Sequence, residues 1–248
     1  MAFDMNSLIK STTISPPKVI VYGQPGIGKT SLAAGAGAVL VDCENGAGAI
    51  AGLIRTPYLE SWPAIRDAIQ AFLALDPGSL PPAIAIDTGD WLIRRIVEYV
   101  CVDLDDKKPG DVTNTLGGAH GSFFKAREIV ENIISRDLFP MLNLLTSRGC
   151  VIILLAHASN EKITTPEGGE MKMAIPDFPA KGILPLFLEW ADAVLYAKKD
   201  QATGERVVIT EGDYLITAKN RYSLPSVLPL AWDQIIAAMT KTNTQEEG

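Results

Sequence analysis

Short apolar runs recur along the chain, each bounded by Gly, Pro or polar residues, and between them lie longer stretches whose apolar positions repeat at helical spacing. Lys18-Val19-Ile20-Val21-Tyr22, Ala38-Val39-Leu40-Val41-Asp42, Pro82-Ala83-Ile84-Ala85-Ile86-Asp87 and Cys150 to Ala156 are too short for buried helices and read as buried strands. Residues 61–75 place Trp62, Ile65, Ile69, Phe72 and Leu73 on one helical face, and Asp76-Pro77-Gly78 stops that helix. Further helices are predicted after Thr30, from about Gly89 to Asp103, from about Phe123 to Ser147 with an interruption near Pro140, and around Gly182 to Leu188. Strands that are apolar on both faces and alternate with helices imply an α/β fold, a doubly wound and mainly parallel sheet covered on both sides. After a strand at Ala191 to Ala197, Arg206 to Thr210 and Tyr214 to Lys219 predict a C-terminal β-hairpin extending one edge.

The same pattern sets the domain organisation. A lead-in segment over 1–17 ends in Pro16-Pro17, one core spans 18–240, and a polar tail covers 241–248, with no internal repeat or low-complexity linker. Residues 158–181 lack periodicity and hold Pro166, Gly168, Gly169, Pro176 and Pro179. A structureless connection of this length predicts a functional or mobile loop.

Composition narrows the classes. With 248 residues, 47% of them hydrophobic, the chain fills one good-sized core, which excludes disorder, collagen and coiled coil. A net charge of −7 argues against binding nucleic acid or anionic membrane by bulk electrostatics, so any anion site must be local. Cys43, Cys101 and Cys150 lack metal-ligand spacing and read as core thiols of a reducing compartment. The longest clean apolar run is far below the ~20 residues of a membrane span, so a cytoplasmic protein with no membrane partner is expected.

The strongest chemical signal is Gly23-Gln24-Pro25-Gly26-Ile27-Gly28-Lys29-Thr30, followed by Ser31. It matches G-x-x-x-x-G-K-[ST] and lies between a strand and a helix, the context the motif requires. Its glycines let backbone N–H groups face a phosphate chain, the helix N-terminus adds a favourable dipole, and Lys29 supplies a charge for the terminal phosphates. Thr30 would place its hydroxyl on Mg²⁺, and Lys29 is expected to face solvent without nucleotide. Asp87 ends an apolar strand, where a carboxylate holds the same metal ion; the bland alternative is a helix N-cap. A GTPase reading fails, because Asp87-Thr88-Gly89-Asp90 does not give D-x-x-G and no N-K-x-D motif is present.

Other candidates sit at predicted strand ends. Asp42-Cys43-Glu44 puts Glu44 where it would polarise attacking water, with Asp42 a structural neighbour, unless Glu44 is a solvated loop residue. His157 follows an apolar strand and would bond the terminal phosphate, or is an ordinary half-buried histidine; His120 is the weaker case. Lys219 and Arg221 flank Asn220 and would contact phosphate, including that of a neighbouring subunit, or form a solvated strand end. Trp62, Trp91, Trp190 and Trp232 read as core.

Val39 to Glu44 resembles the strand carrying the catalytic glutamate in RecA-type ATPases. Ala85-Ile86-Asp87-Thr88 resembles their Walker B strand, and Leu154-Leu155-Ala156-His157 their phosphate-sensing strand end. With Asp177 to Gly182, Trp190 to Val194 and Ala218 to Tyr222, the chain over roughly 18–225 is similar to phage-encoded, core-only RecA/RadA-like nucleotide-binding proteins. That resemblance implies a RecA-like P-loop NTPase fold and an ATPase using ATP and Mg²⁺. It also implies a homo-oligomer or filament completed by Lys219 and Arg221 in trans, acting on single-stranded DNA in phage recombination or repair within the host cytoplasm. Loop 158–181 would correspond to the second DNA-binding loop and the stretch around 117–121 to the first. Departures are His157 in place of the sensor Gln, the lack of a separate N-terminal oligomerisation domain, and the mixed charge of loop 158–181. The alternative is an ATP-gated accessory or assembly module, of the helicase or recombinase loader type, working through protein contacts such as a single-strand-binding or replication protein. Small-molecule phosphotransfer would need a mobile cationic lid, and loop 158–181 is too acidic for one.

Overall fold

A computed structural model describes residues 15–105, 115–164, 168–180 and 182–241. Most of the lead-in, the polar stretch over 106–114, Pro166, Lys181 and nearly all of the tail lie outside the described residues.

The predicted strands and helices form where the pattern places them. The core of the sheet is β1 (Lys18–Gly23), β2 (Ala38–Asp42), β3 (Ala83–Asp87), β4 (Val151–Thr164) and β6 (Ala193–Lys199), all parallel, in spatial order β2-β3-β4-β1-β6. The order matters for function: β4 is inserted between the strand that leads into the glycine-rich loop and the strand that ends in Asp87. Register then aligns Gly23 with His157 and Asp42 with Asp87, so every predicted strand-end candidate except the Lys219–Arg221 pair falls on one edge.

Both faces of the sheet are covered, as the uninterrupted apolar strands require. On one face Ile20, Tyr22, Ile84, Ile86, Ile152 and Leu154 are buried in a large cluster. There they meet α2 (Trp62–Leu73), α3 (Gly89–Glu98), α4 (Phe123–Asn132), α5 (Phe139–Ser147) and α6 (Ile183–Trp190). On the other face Val19, Val21, Leu40, Ile153 and Leu195 pack with α1 (Lys29–Gly35) and α7 (Trp232–Lys241). The alternation along β1, Val19 and Val21 one way and Ile20 and Tyr22 the other, is the period-2 geometry of a strand. Ser61 caps α2 through Oγ, and the break expected near Pro140 is a π-helical turn over Ile133–Leu138, just before the proline that cannot donate a backbone hydrogen bond. The four tryptophans are packing residues: Trp190 stacks on Phe139, and the guanidinium of Arg95 lies over Trp91.

Two expectations are corrected. The connection after His157 is not structureless: β4 continues to Thr164 and pairs antiparallel with β5 (Glu170–Pro176). The outer part of the hairpin is only half-buried on one face, at Ile163, Met171 and Met173, so its signal in the sequence is weak. Its return strand is tied to the body where the buried Tyr22 hydroxyl shares its proton between the carbonyls of Thr217, 2.7 Å away, and Ala174, 3.0 Å away. The predicted hairpin of Arg206 to Thr210 with Tyr214 to Lys219 does not form: 214–218 holds only the isolated bridge of Ile216, and the antiparallel edge is built from other partners. β7 (Arg206–Ile209) pairs with β6 and with β9 (Val227–Pro229), whereas β8 (Lys219–Asn220) pairs with β6 near Ala193 and Val194.

Candidate functional site

The loop after β1 turns into α1 through two glycines with left-handed backbone, Gly26 at φ 75° and Gly28 at φ 110°, conformations that side-chain-bearing residues resist. Gly26 has open space where a Cβ would stand, leaving a cradle lined by main chain. Lys29, the first residue of α1, is only 6% exposed, and its Nζ donates to the carbonyls of Gly23 at 2.9 Å and Gln24 at 3.2 Å. The expectation that it faces solvent is therefore overturned. The loop's own carbonyls accept the ammonium protons, and burial holds its pKa below the usual lysine value against the pull of Asp87, Asp90 and Glu44.

Thr30 Oγ1 donates to Asp87 Oδ2 at 3.0 Å. Burial pushes the Asp87 carboxyl up to about 6; the neighbouring charges of Glu44 and Asp42 add to this, and the Thr30 hydrogen bond and Lys29 oppose it. A buried carboxylate beside further carboxylates and a hydroxyl is a donor set that fits a divalent cation. Thr30 and Asp87 are the residues that would hold it.

Asp42 and Glu44 divide the work at the end of β2. Asp42, 1% exposed, pairs with Arg55 at 2.8 Å and accepts the N–H groups of Glu44 at 3.3 Å and Asn45 at 2.7 Å. It caps the turn that presents Glu44, as its reading as a structural neighbour implied. Glu44 reaches the cleft with its Oε1 3.7 Å from His157 Nε2. On the other side His157 Nδ1 lies 3.0 Å from Asp90 Oδ2, and the His157 backbone N–H donates to Asp90 Oδ1 at 3.2 Å. Lys29, Thr30, Glu44, Asp87 and His157 thus line one cleft of about 420 Å³, together with Arg206.

Asp90 and Arg206 escaped the sequence reading. Asp90 in the first turn of a helix looks like an ordinary partner of the helix dipole, and its contact with His157 bridges 67 positions. Arg206 reads as the start of an edge strand. The turn between β6 and β7 carries it over the glycine-rich loop, where its Nη1 lies 3.2 Å from the position a Cβ on Gly28 would take.

Lys219 and Arg221 are not brought to this cleft within the chain. Their strand pairs with Ala193 and Val194, beside the beginning of β1 and not its loop end. Lys219 Nζ donates to the carbonyls of Leu188, Glu189 and Ala191 at the end of α6, and Arg221 pairs with Asp192 at 3.2 Å while remaining more than half exposed. His120 Nε2 contacts the Val100 carbonyl at 2.8 Å, a structural tie. Cys43, Cys101 and Cys150 are buried and form no disulfide. Among the described residues no helix is long and apolar enough to cross a membrane.

The glycine-rich loop, the inserted β4 and the Thr30–Asp87 pair define a RecA-like P-loop NTPase fold. Residues 15–222 match the family model of the AAA domain, and the chain belongs to that family. Among solved structures it is similar to the KaiC-like protein PH0186 from the hyperthermophilic archaeon Pyrococcus horikoshii OT3, with 15% identity, 79% of this chain and 78% of that one covered, and a TM-score of 0.38. The flagellar accessory protein FlaH from Methanocaldococcus jannaschii gives 12%, 86%, 84% and 0.40, and the RadB recombinase 15%, 79%, 80% and 0.41. No curated protein matches the chain.

Proposed function

We propose that the chain binds ATP with Mg²⁺ at Gly23–Ser31, hydrolyses it, and uses the cycle in phage recombination or repair on single-stranded DNA. The observation that carries the nucleotide reading is the convergence of Lys29, Thr30 and Asp87 at the turn made by the left-handed Gly26 and Gly28. A bound divalent cation would supply charge neutralisation at the phosphates. Lys29 would leave the carbonyls of Gly23 and Gln24 for the phosphate oxygens, and Thr30 and Asp87 would hold the metal. Glu44, at the mouth of the cleft, orients the water, and His157 donates to the terminal phosphate.

The DNA reading is supported by the β4–β5 hairpin, which springs from His157 and sets Lys162 directly opposite Lys172, a like-charge pair that an anionic strand would relieve. Phage recombination comes from the resemblance of the sequence. A homo-oligomer or filament, with Lys219 and Arg221 reaching the neighbouring cleft, completes this reading. The second reading, an accessory module acting through protein contacts, is favoured by the Lys162–Glu170 pair at 3.6 Å and by the overall acidity of the chain. ATP turnover measured with and without single-stranded DNA tests both. Stimulation supports the recombinase reading, turnover indifferent to DNA supports the accessory one, and absence of ATP binding overturns both.

A further inference from the structure

The cleft contains a histidine whose two ring nitrogens have been given different partners. Nδ1 faces the Asp90 carboxylate at 3.0 Å, and Nε2 faces Glu44 at 3.7 Å and the cleft. Asp90 holds His157 twice, through the ring and through the backbone N–H, and is itself only 3% exposed. It has little freedom to move, because α3 begins with Gly89, where a Cβ would lie 2.9 Å from both Leu154 and Phe178. The helix is therefore seated against β4 at the point where Asp90 meets His157.

We propose that Asp90 is a positioning residue: it fixes His157 with the proton on Nδ1, so that Nε2 is the nitrogen that faces Glu44 and the terminal phosphate. The inference rests on the ATPase reading for its catalytic consequence, but the tautomer itself can be observed without turnover. A neutral histidine in water favours the proton on Nε2, where it would be lost from the dyad. With Nδ1 committed to a buried carboxylate, Nε2 becomes the exchanging site, an acceptor when the ring is neutral and a donor when it is charged. The charged and titratable groups around the ring are Asp90 on α3, Glu44 after β2 and Lys29 on α1, and Asp87 at the end of β3 and Arg206 on β7 line the same cleft. The Asp90 hydrogen bond raises the histidine pKa, the Glu44 charge adds to it, and burial and Lys29 oppose. With the ring charged, a terminal phosphate oxygen arriving near Nε2 would compete with Glu44 for the Nε2 proton and free Glu44 for the attacking water.

The chain has two histidines, which makes the test direct. Long-range ¹H–¹⁵N spectra of the full chain, assigned with His157→Gln, should show neutral His157 protonated on Nδ1. His120, whose Nε2 meets a backbone carbonyl, should show the opposite tautomer. In Asp90→Asn, kcat should fall about 10- to 100-fold, the range typical of partners that orient a functional histidine. Affinity for ATP should stay within about twofold, since the glycine-loop N–H groups and Lys29, which carry most of the phosphate binding, are untouched. The alkaline limb of the kcat profile should move to lower pH, and Asp90→Asn/His157→Gln should be no slower than His157→Gln alone. An Nε2–H tautomer of His157 in the wild type overturns the proposal even if the variant fails to fold. So does an Asp90→Asn enzyme with unchanged kcat and pH profile. If the chain binds no ATP yet His157 carries its proton on Nδ1, the ATPase reading falls and the positioning of His157 by Asp90 stands.

Discussion

Thr30 and Asp87, 57 positions apart in sequence, are joined by a 3.0 Å hydrogen bond from the Thr30 hydroxyl to the Asp87 carboxylate, between the first turn of α1 and the end of β3. Asp87 is nearly buried, and its charge is opposed by the carboxylates around it. In the folded protein its pKa of about 6 stands above the unfolded value near 3.9. Between those values the folded state binds a proton that the unfolded chain has released, so stability falls as pH rises through this window and the full penalty is present above it. Two units correspond to about 3 kcal/mol. Asp87→Asn should therefore stabilise the nucleotide-free protein by about 2–3 kcal/mol at pH 7, with the gain shrinking toward pH 4.5. Urea denaturation at the two pH values checks this, and an equal loss of stability at both contradicts it.

Lys29→Ala should weaken ATP binding by roughly 10- to 100-fold or more, the worth of charged hydrogen bonds to phosphate. Because burial already disfavours the Lys29 charge, its removal should leave the melting temperature nearly unchanged. Titration with a fluorescent ATP analogue tests the first expectation, and retention of wild-type affinity by the folded variant would remove Lys29 from the site.

Glu44→Gln should bind ATP and turn it over about 10²- to 10⁴-fold more slowly, the usual contribution of a group that orients or deprotonates water. Asp42 acts differently. Asp42→Ala leaves Arg55 without its partner and two turn N–H groups uncapped. It should destabilise the fold by about 1–3 kcal/mol. Pre-steady-state turnover combined with thermal melts separates the two. Equal stability losses in both variants would erase the division of roles at the end of β2.

The trans role of Arg221 can be isolated from its neighbour. Lys219 holds three carbonyls at the end of α6, so its replacement perturbs the fold; Arg221 is exposed and loses only a surface ion pair. Arg221→Ala should fold normally and lose about 10³- to 10⁵-fold in rate if it acts as an arginine finger. Mixed with Glu44→Gln subunits it should recover part of the activity. A co-assembled mixture with no recovery would place Arg221 outside the catalytic site.

What the sequence disclosed depended on how local each signal was. The buried strands announce themselves because both faces are apolar, and Gly23–Thr30 and Asp87 follow directly from where such strands end. The β4–β5 hairpin escaped the reading because its apolar side is thin: only Ile163, Met171 and Met173 are half-buried among exposed Asn160, Glu161, Lys162, Thr164, Glu170 and Lys172, a weak alternation interrupted by Gly168 and Gly169. Asp90 and Arg206 become meaningful only through contacts made by the sheet's order, one to His157 and one to the loop at Gly28. Neither local spacing nor propensity encodes such pairings.

The position of β1 also governs when the molecule can first be assembled. Its two neighbours, β4 and β6, begin at Val151 and Ala193, whereas the strands β2 and β3 that come earlier in the chain pair with each other instead. During synthesis the amino-terminal loop is thus made early and braced late, since non-local strand pairing must wait for its partners. A ribosome-bound fragment ending before Ala193 leaves β1 with an open edge, a surface prone to mispairing. Acquisition of nucleotide binding by the nascent chain would therefore mark completion of the core, not the emergence of its most conspicuous motif.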